Sequence, residues 1–269
     1  MSKIAKILSL LAICIVVTSC NEYNKLLKST DYELRYEYAK TYFEQGKYAR
    51  TYNLLKDVIT LYKGTDKAEE SLYLLAQSAY MQKDYQSSGA YFEAYYRNYP
   101  RGEYAELARY YTGIGYSKAS PEPKLDQTDT YKAIDELKNF LDYYPQSDKA
   151  EEIRNLIFEL QEKLAEKELL TVKLYYNLGD YRGNNYQAAI ITANNAIMDY
   201  PYTNYKEDFE MMILRSRYQE AVKSVIEKKK ERFRGVIDEY YNYVNEFPEG
   251  KYKKEADKIL KVAQKYVND

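Results

Sequence analysis

The chain contains no histidine and no tryptophan, and only two of its 269 residues are cysteine. Without histidine it lacks the commonest general base and the commonest metal ligand near neutral pH. Cys14 lies inside an apolar leader and Cys20 at its end, so no disulfide framework is expected. A nucleophile elbow and a phosphate-binding loop are both missing. An enzyme is therefore not expected, and neither a cofactor nor a metal site. Positive charge is not in surplus: 40 Lys and Arg face 41 Asp and Glu. A phosphate backbone could not be neutralised at that balance, so nucleic acid is excluded as a partner. Hairpin dipeptides of the Asn-Gly or Asp-Gly type and alternating β-branched runs are also lacking, which argues against sheet.

What is abundant is tyrosine, with 35 residues. A phenol joins a large apolar face to a polar tip, so it suits half-buried helix seams and binding surfaces alike. The N-terminus reads as an address. Lys3 and Lys6 precede an apolar run over 7–17, too short to span a bilayer as a stop-transfer helix. It ends in Val17-Thr18-Ser19-Cys20, which resembles the lipobox of bacterial lipoproteins. That resemblance implies a signal peptide over 1–19, acyl chains on Cys20 and a tether over 20–30. No acidic run follows the cysteine, which favours the periplasmic face of an outer membrane.

Four of the six prolines follow an aromatic: Tyr99-Pro100, Tyr144-Pro145, Tyr200-Pro201 and Phe247-Pro248. Tyr62-Lys63 has the same surroundings without the proline. Just beyond stand Thr65, Gly102, Ser147, Thr203 and Gly250, all able to cap a helix start. Another aromatic lies 13 or 14 residues upstream of each break, at Tyr48, Tyr85, Tyr131, Tyr186 and Phe233. Fourteen residues is nearly four helical turns, so both aromatics mark one packed side of one helix. The first two repeats superpose at a period of 37, with a small-residue column at Ala39, Ala76 and Gly113. Later repeats carry insertions, read as a loop over 117–130 and as lengthened first helices over 156–176 and 217–232. The pattern resembles tetratricopeptide repeats. It predicts an all-α superhelical array of about five tetratricopeptide-like helix pairs, with a C-terminal helix over 252–266.

On the first helices three positions recur beside the small column: Tyr36, Tyr73 and Tyr110; then Lys40, Gln77 and Ile114; then Phe43 and Tyr80. Their spacing puts them on one stripe. As an exposed groove of phenols it would suit an extended aromatic peptide. As a seam it would pack each repeat on the next, and the sequence leaves both open. Arg215, Arg217 and Tyr218 on a later first helix are candidates for docking a partner through its acidic groups.

A lipobox, five such repeats and the ordered stretches 99–105, 125–133, 164–176 and 199–203 together resemble the BamD family, lipoproteins of the outer-membrane β-barrel assembly machinery. The resemblance implies a non-enzymatic scaffold. Repeats one to three (31–146) would receive the C-terminal signals of unfolded outer-membrane proteins. Repeats four and five with the terminal helix (147–269) would dock the periplasmic domains of a BamA-like insertase. Met198 stands where the family can carry an arginine, so its charge pairing does not transfer there. A different periplasmic repeat adaptor and a SusD-like glycan-binding lipoprotein remain alternatives.

Overall fold

The computed structural model describes residues 23–268. The expected signal peptide and Cys20 lie outside the described residues. From Tyr23 the expected tether is instead a docked helical turn: Leu26 is buried among Tyr36, Ala39 and Tyr42, and Tyr23 meets Tyr42 edge-on.

Among the described residues no strand occurs. The helices are α1 (Tyr32–Glu44), α2 (Tyr48–Leu55), a 3-10 turn (Ile59–Tyr62), α3 (Ala68–Met81), α4 (Tyr85–Asn98), α5 (Ala105–Ala119), α6 (Thr128–Tyr143), α7 (Ala150–Leu178), α8 (Asn185–Asp199), α9 (Lys206–Val222), α10 (Ile226–Glu246) and α11 (Lys253–Asn268). From α1 to α5, and again from α8 to α11, each helix packs on the next, and first helices of successive pairs also touch, α1 with α3 and α9 with α11. The all-helical repeat fold is thus as expected. Two compact units form, one from residues up to Ser120 plus Asp129–Ala150, the other from Pro121–Thr128 plus Glu151–Asp269. The 121–128 loop belongs with the second unit, where the Lys167 ammonium holds the Leu125 carbonyl at 2.6 Å.

Small residues sit where two helices approach. Ala39 and Ala76 are fully buried, and each carbonyl accepts a hydroxyl from the partner helix, Thr51 at 3.1 Å and Ser88 at 3.1 Å. At Gly113 a Cβ would lie 2.5 Å from Leu137 Cδ2.

The aromatic-proline breaks share one backbone form. The N–H of Thr65, Gly102, Ser147, Thr203 and Gly250 each bonds the carbonyl of the aromatic three residues back, and each of their carbonyls takes the N–H three residues on. These residues therefore join two turns and are not the helix caps that their chemistry suggests. The caps of α3, α5 and α9 are Lys67, Tyr104 and Tyr205, without side-chain bonds. True side-chain caps open α1, α4 and α8, from Asp31, Asp84 and Asn184.

Two breaks carry a lock that the pattern did not reveal. The Tyr95 hydroxyl donates to Glu69 (2.5 Å) and accepts from the Tyr104 N–H (3.2 Å). Tyr243 does the same with Glu207 (2.7 Å) and the Tyr252 N–H (3.2 Å). Glycine is required beside each lock, since a Cβ on Gly102 would come within 2.8 Å of the Tyr95 hydroxyl and one on Gly250 within 2.7 Å of that of Tyr243. Phe140 holds the corresponding place in the third pair, and there Ser147 supplies the hydroxyl to Glu106 at 2.8 Å.

Three expectations need correction. The first second-helix is cut after Leu55, because Asp57-Val58-Ile59-Thr60 combines β-branched residues with a poor helix former and only one 3-10 turn follows. The 217–232 insertion lengthens both helices of its pair, with a break after Val222, while the 156–176 insertion does extend one first helix to 29 residues. Tyr131 is half exposed, so it does not mark a packed side.

Candidate protein-docking surfaces

In the N-terminal unit the first-helix column divides. Tyr36 and Ile114 are buried, which corrects their place on an exposed stripe. The Tyr36 hydroxyl donates to Glu70, and the Lys40 ammonium reaches the same carboxylate at 3.0 Å. This trio ties α1 to the first turn of α3. Burial, followed by the bond to Glu70, pushes the Tyr36 phenol up to about 12. Burial alone would raise the Glu70 carboxyl, but the hydrogen bonds from Tyr36 and Lys40 outweigh it and hold it below the usual range.

Tyr73, Gln77, Tyr80, Tyr110, Lys40 and Phe43 are half-buried. The Tyr73 ring stacks on Tyr104 (4.0 Å, 17°) and meets Phe92 and Tyr95 edge-on, while its hydroxyl accepts from Gln77 at 3.0 Å. Tyr80 meets Tyr85 at 5.4 Å and Tyr111 at 5.1 Å. Tyr110 meets Tyr111 and Phe140, and Phe43 meets Tyr48. Stacking of Phe92 on Tyr111 completes the chain of rings from the second pair to the third. Much of the column is therefore seam, and Tyr73, Gln77, Tyr80 and Tyr110 keep only part of their surface open to solvent.

In the C-terminal unit the candidate docking arginines are already engaged. Arg215 forms a two-pronged pair with Glu255 at 2.8 and 2.6 Å, and its guanidinium lies 5.0 Å from the Tyr252 ring. Arg217 pairs with Glu239 at 2.6 Å. Tyr218 meets the buried Phe233 edge-on. The two arginines fasten α9 to α11 and to α10, where a planar fork matches a carboxylate. Glu255 is held below the usual carboxylate range by that hydrogen bond from Arg215.

Next to this pairing Glu210 is pushed up to about 7, first by burial, then by Glu239 and Glu246, with Lys206 opposing. Its folded pKa exceeds the ordinary 4.5, so its contribution to stability is complete below that pH and is lost as pH rises through 7. Glu210→Gln is expected to be more stable than the parent at pH 8, by on the order of 1–2 kcal/mol after screening, and to show a flatter decline between pH 4.5 and 8. Urea unfolding at pH 5 and pH 8 measures both, and equal pH slopes would refute this assignment.

Sequence reasoning missed an apolar pocket of about 550 Å³ in the N-terminal unit, walled by Ile59, Leu72, Tyr91, Ala94 and Tyr99. Its only signal in the sequence is Lys63 in place of the recurrent proline. Among the described residues no group of His, Cys, Asp and Glu could hold a metal, and no helix is long and apolar enough to cross a membrane.

Comparison with known proteins gives these repeats a place. The family model described as "YfiO: Outer membrane lipoprotein" matches residues 29–231, from the start of the first helix pair into α10. The chain is also similar to the "Putative outer membrane protein assembly factor BamD" of Aquifex aeolicus (strain VF5), with 32% identity over 107 residues. That match covers 40% of this chain and 35% of the relative, so the chain spans about a third of the relative's length. On the extent of the family match, which takes in most of the helices, the chain belongs to the YfiO family of outer membrane lipoproteins.

Proposed function

We propose that this protein is a non-enzymatic scaffold of outer-membrane protein assembly, lipid-anchored through Cys20 on the periplasmic face of the outer membrane. The observation that carries the reading is the family match across residues 29–231, supported by a relative described as an outer membrane protein assembly factor. In this reading the C-terminal unit docks the periplasmic domains of a BamA-like insertase. Its contact surface must lie beyond Arg215 and Arg217, whose charges are spent on Glu255 and Glu239. The N-terminal unit receives the aromatic C-terminal segments of unfolded outer-membrane proteins along the half-buried Tyr73, Tyr80 and Tyr110. Aromatic edges with a few polar tips provide contact area at low conformational cost.

Affinity capture of the full-length protein from mildly solubilised membranes tests the reading. A large barrel protein with periplasmic domains is expected in near-stoichiometric amount. Recovery of polysaccharide-uptake components or cell-wall enzymes in its place would overturn it.

A further inference from the structure

The pocket beside the shortened second helix is an apolar concavity that the repeat pattern does not explain. In the second pair α4 runs unbroken for 14 residues. In the first pair the helix stops at Leu55 and a single 3-10 turn replaces its end. A trough lies between that turn, α3 and α4. Its walls are apolar, from Ile59, Leu72, Tyr91, Ala94 and Tyr99. At its rim stands Lys63, in the position that is proline at the other four breaks. The Lys63 ammonium is exposed and has no carboxylate partner among the described residues. The Asn98 amide on the same rim is exposed and also unbonded among them. An apolar trough of this volume matches one or two large side chains, and donors with no acceptor at its edge match an anionic neighbour.

We infer that this trough docks a short linear segment of a partner protein, presenting one large apolar side chain next to an acidic one. The apolar side chain fills the trough, and the acidic side chain pairs with Lys63. A side-chain carboxylate suits Lys63 because an ammonium on a flexible stem is a point charge with free rotation, not a fixed fork. This site uses the 3-10 turn, α4 and Leu72 of α3, and none of the first-helix tyrosines invoked above. It also stands whether or not the client-receiving role is correct.

The probe is a set of fluorescein-labelled octapeptides with both ends capped, carrying Glu-Phe, Lys-Phe or Glu-Ser at the centre of a neutral background. Fluorescence polarisation against the full chain is expected to show tightest binding for Glu-Phe. Loss of the phenyl ring should weaken it roughly tenfold or more. Ala94→Phe fills the trough from its wall and is expected to abolish Glu-Phe binding. Lys63→Glu alters only an exposed side chain and is expected to reverse the preference, so that Lys-Phe binds best. Thermal midpoints of both variants verify that they fold. The inference is overturned if wild type binds Glu-Phe and Lys-Phe equally or binds none of the set. Unchanged binding to Ala94→Phe overturns it too, as does binding only to an uncapped peptide through its terminal carboxylate.

Discussion

Replacing Phe92 by alanine is expected to destabilise the N-terminal unit by about 3–5 kcal/mol. Phe92 is fully buried on α4. Its ring lies edge-on to Tyr73 at 5.9 Å and stacks on Tyr111 at 5.3 Å, which joins the first helix of its own pair to that of the next. Truncation removes the transfer free energy of the ring and leaves a cavity that two rigid helices cannot close. The ring contacts contribute roughly another 0.5–1.5 kcal/mol each beyond area, which places this site at the upper end of the range. Hydrogen exchange of α3, α4 and α5 against denaturant is the suitable readout, because two compact units need not unfold in one step. Protection lowered by less than about 1 kcal/mol would mean that the seam is redundant. Phe92→Leu, which keeps most of the volume, is expected to recover more than half of the loss.

That seam shows how far the fold was legible in the sequence. Breaks at Tyr99-Pro100 and Phe247-Pro248 could be read because proline stops a helix and its position repeats. The small column at Ala39, Ala76 and Gly113 was legible for a similar reason, since close approach demands small residues wherever it recurs. Helix ends that depend on weak local preference were not. The stop after Leu55 arises from a few β-branched residues, and the break at 223–225 within the 217–232 insertion has neither proline nor glycine to announce it.

Sites were less legible than elements, because a site depends on partners distant in sequence. Tyr36, Tyr73 and Tyr110 share a column, yet one is buried against Glu70 and another stacks on Tyr104, 31 residues away in the chain. Likewise Arg215 presents itself in sequence as a free cation, and only the register of α11 brings Glu255 to it. Residues chosen for chemistry alone turn out to be fasteners where the fold supplies an opposite charge. The converse holds at Lys63, which is inconspicuous in the sequence and has no carboxylate partner among the described residues, beside an apolar trough.

Cys20→Ala, expressed behind the leader of a soluble secreted protein so that no uncut apolar segment remains, is expected to move nearly all of the chain from the washed membrane pellet to the soluble periplasmic fraction. The argument is one of magnitude. Each buried methylene is worth about 0.8 kcal/mol, so two fatty chains contribute on the order of 20 kcal/mol, whereas a single myristoyl chain gives only marginal, reversible binding. Among the described residues no helix can cross the bilayer. Electrostatic attachment uses clusters of four to eight basic residues, and the densest run, Lys228-Lys229-Lys230-Glu231-Arg232, has the minimum of four, is interrupted by an acid and has Lys229 over the Tyr266 ring at 5.4 Å. Protein partners could retain a fraction, so the pellet is washed with alkaline carbonate, which strips peripheral contacts and leaves acyl anchors in place. The parent chain should stay in the pellet through that wash while the variant leaves it. A variant that resists the wash as well as the parent would show that membrane attachment does not run through this cysteine.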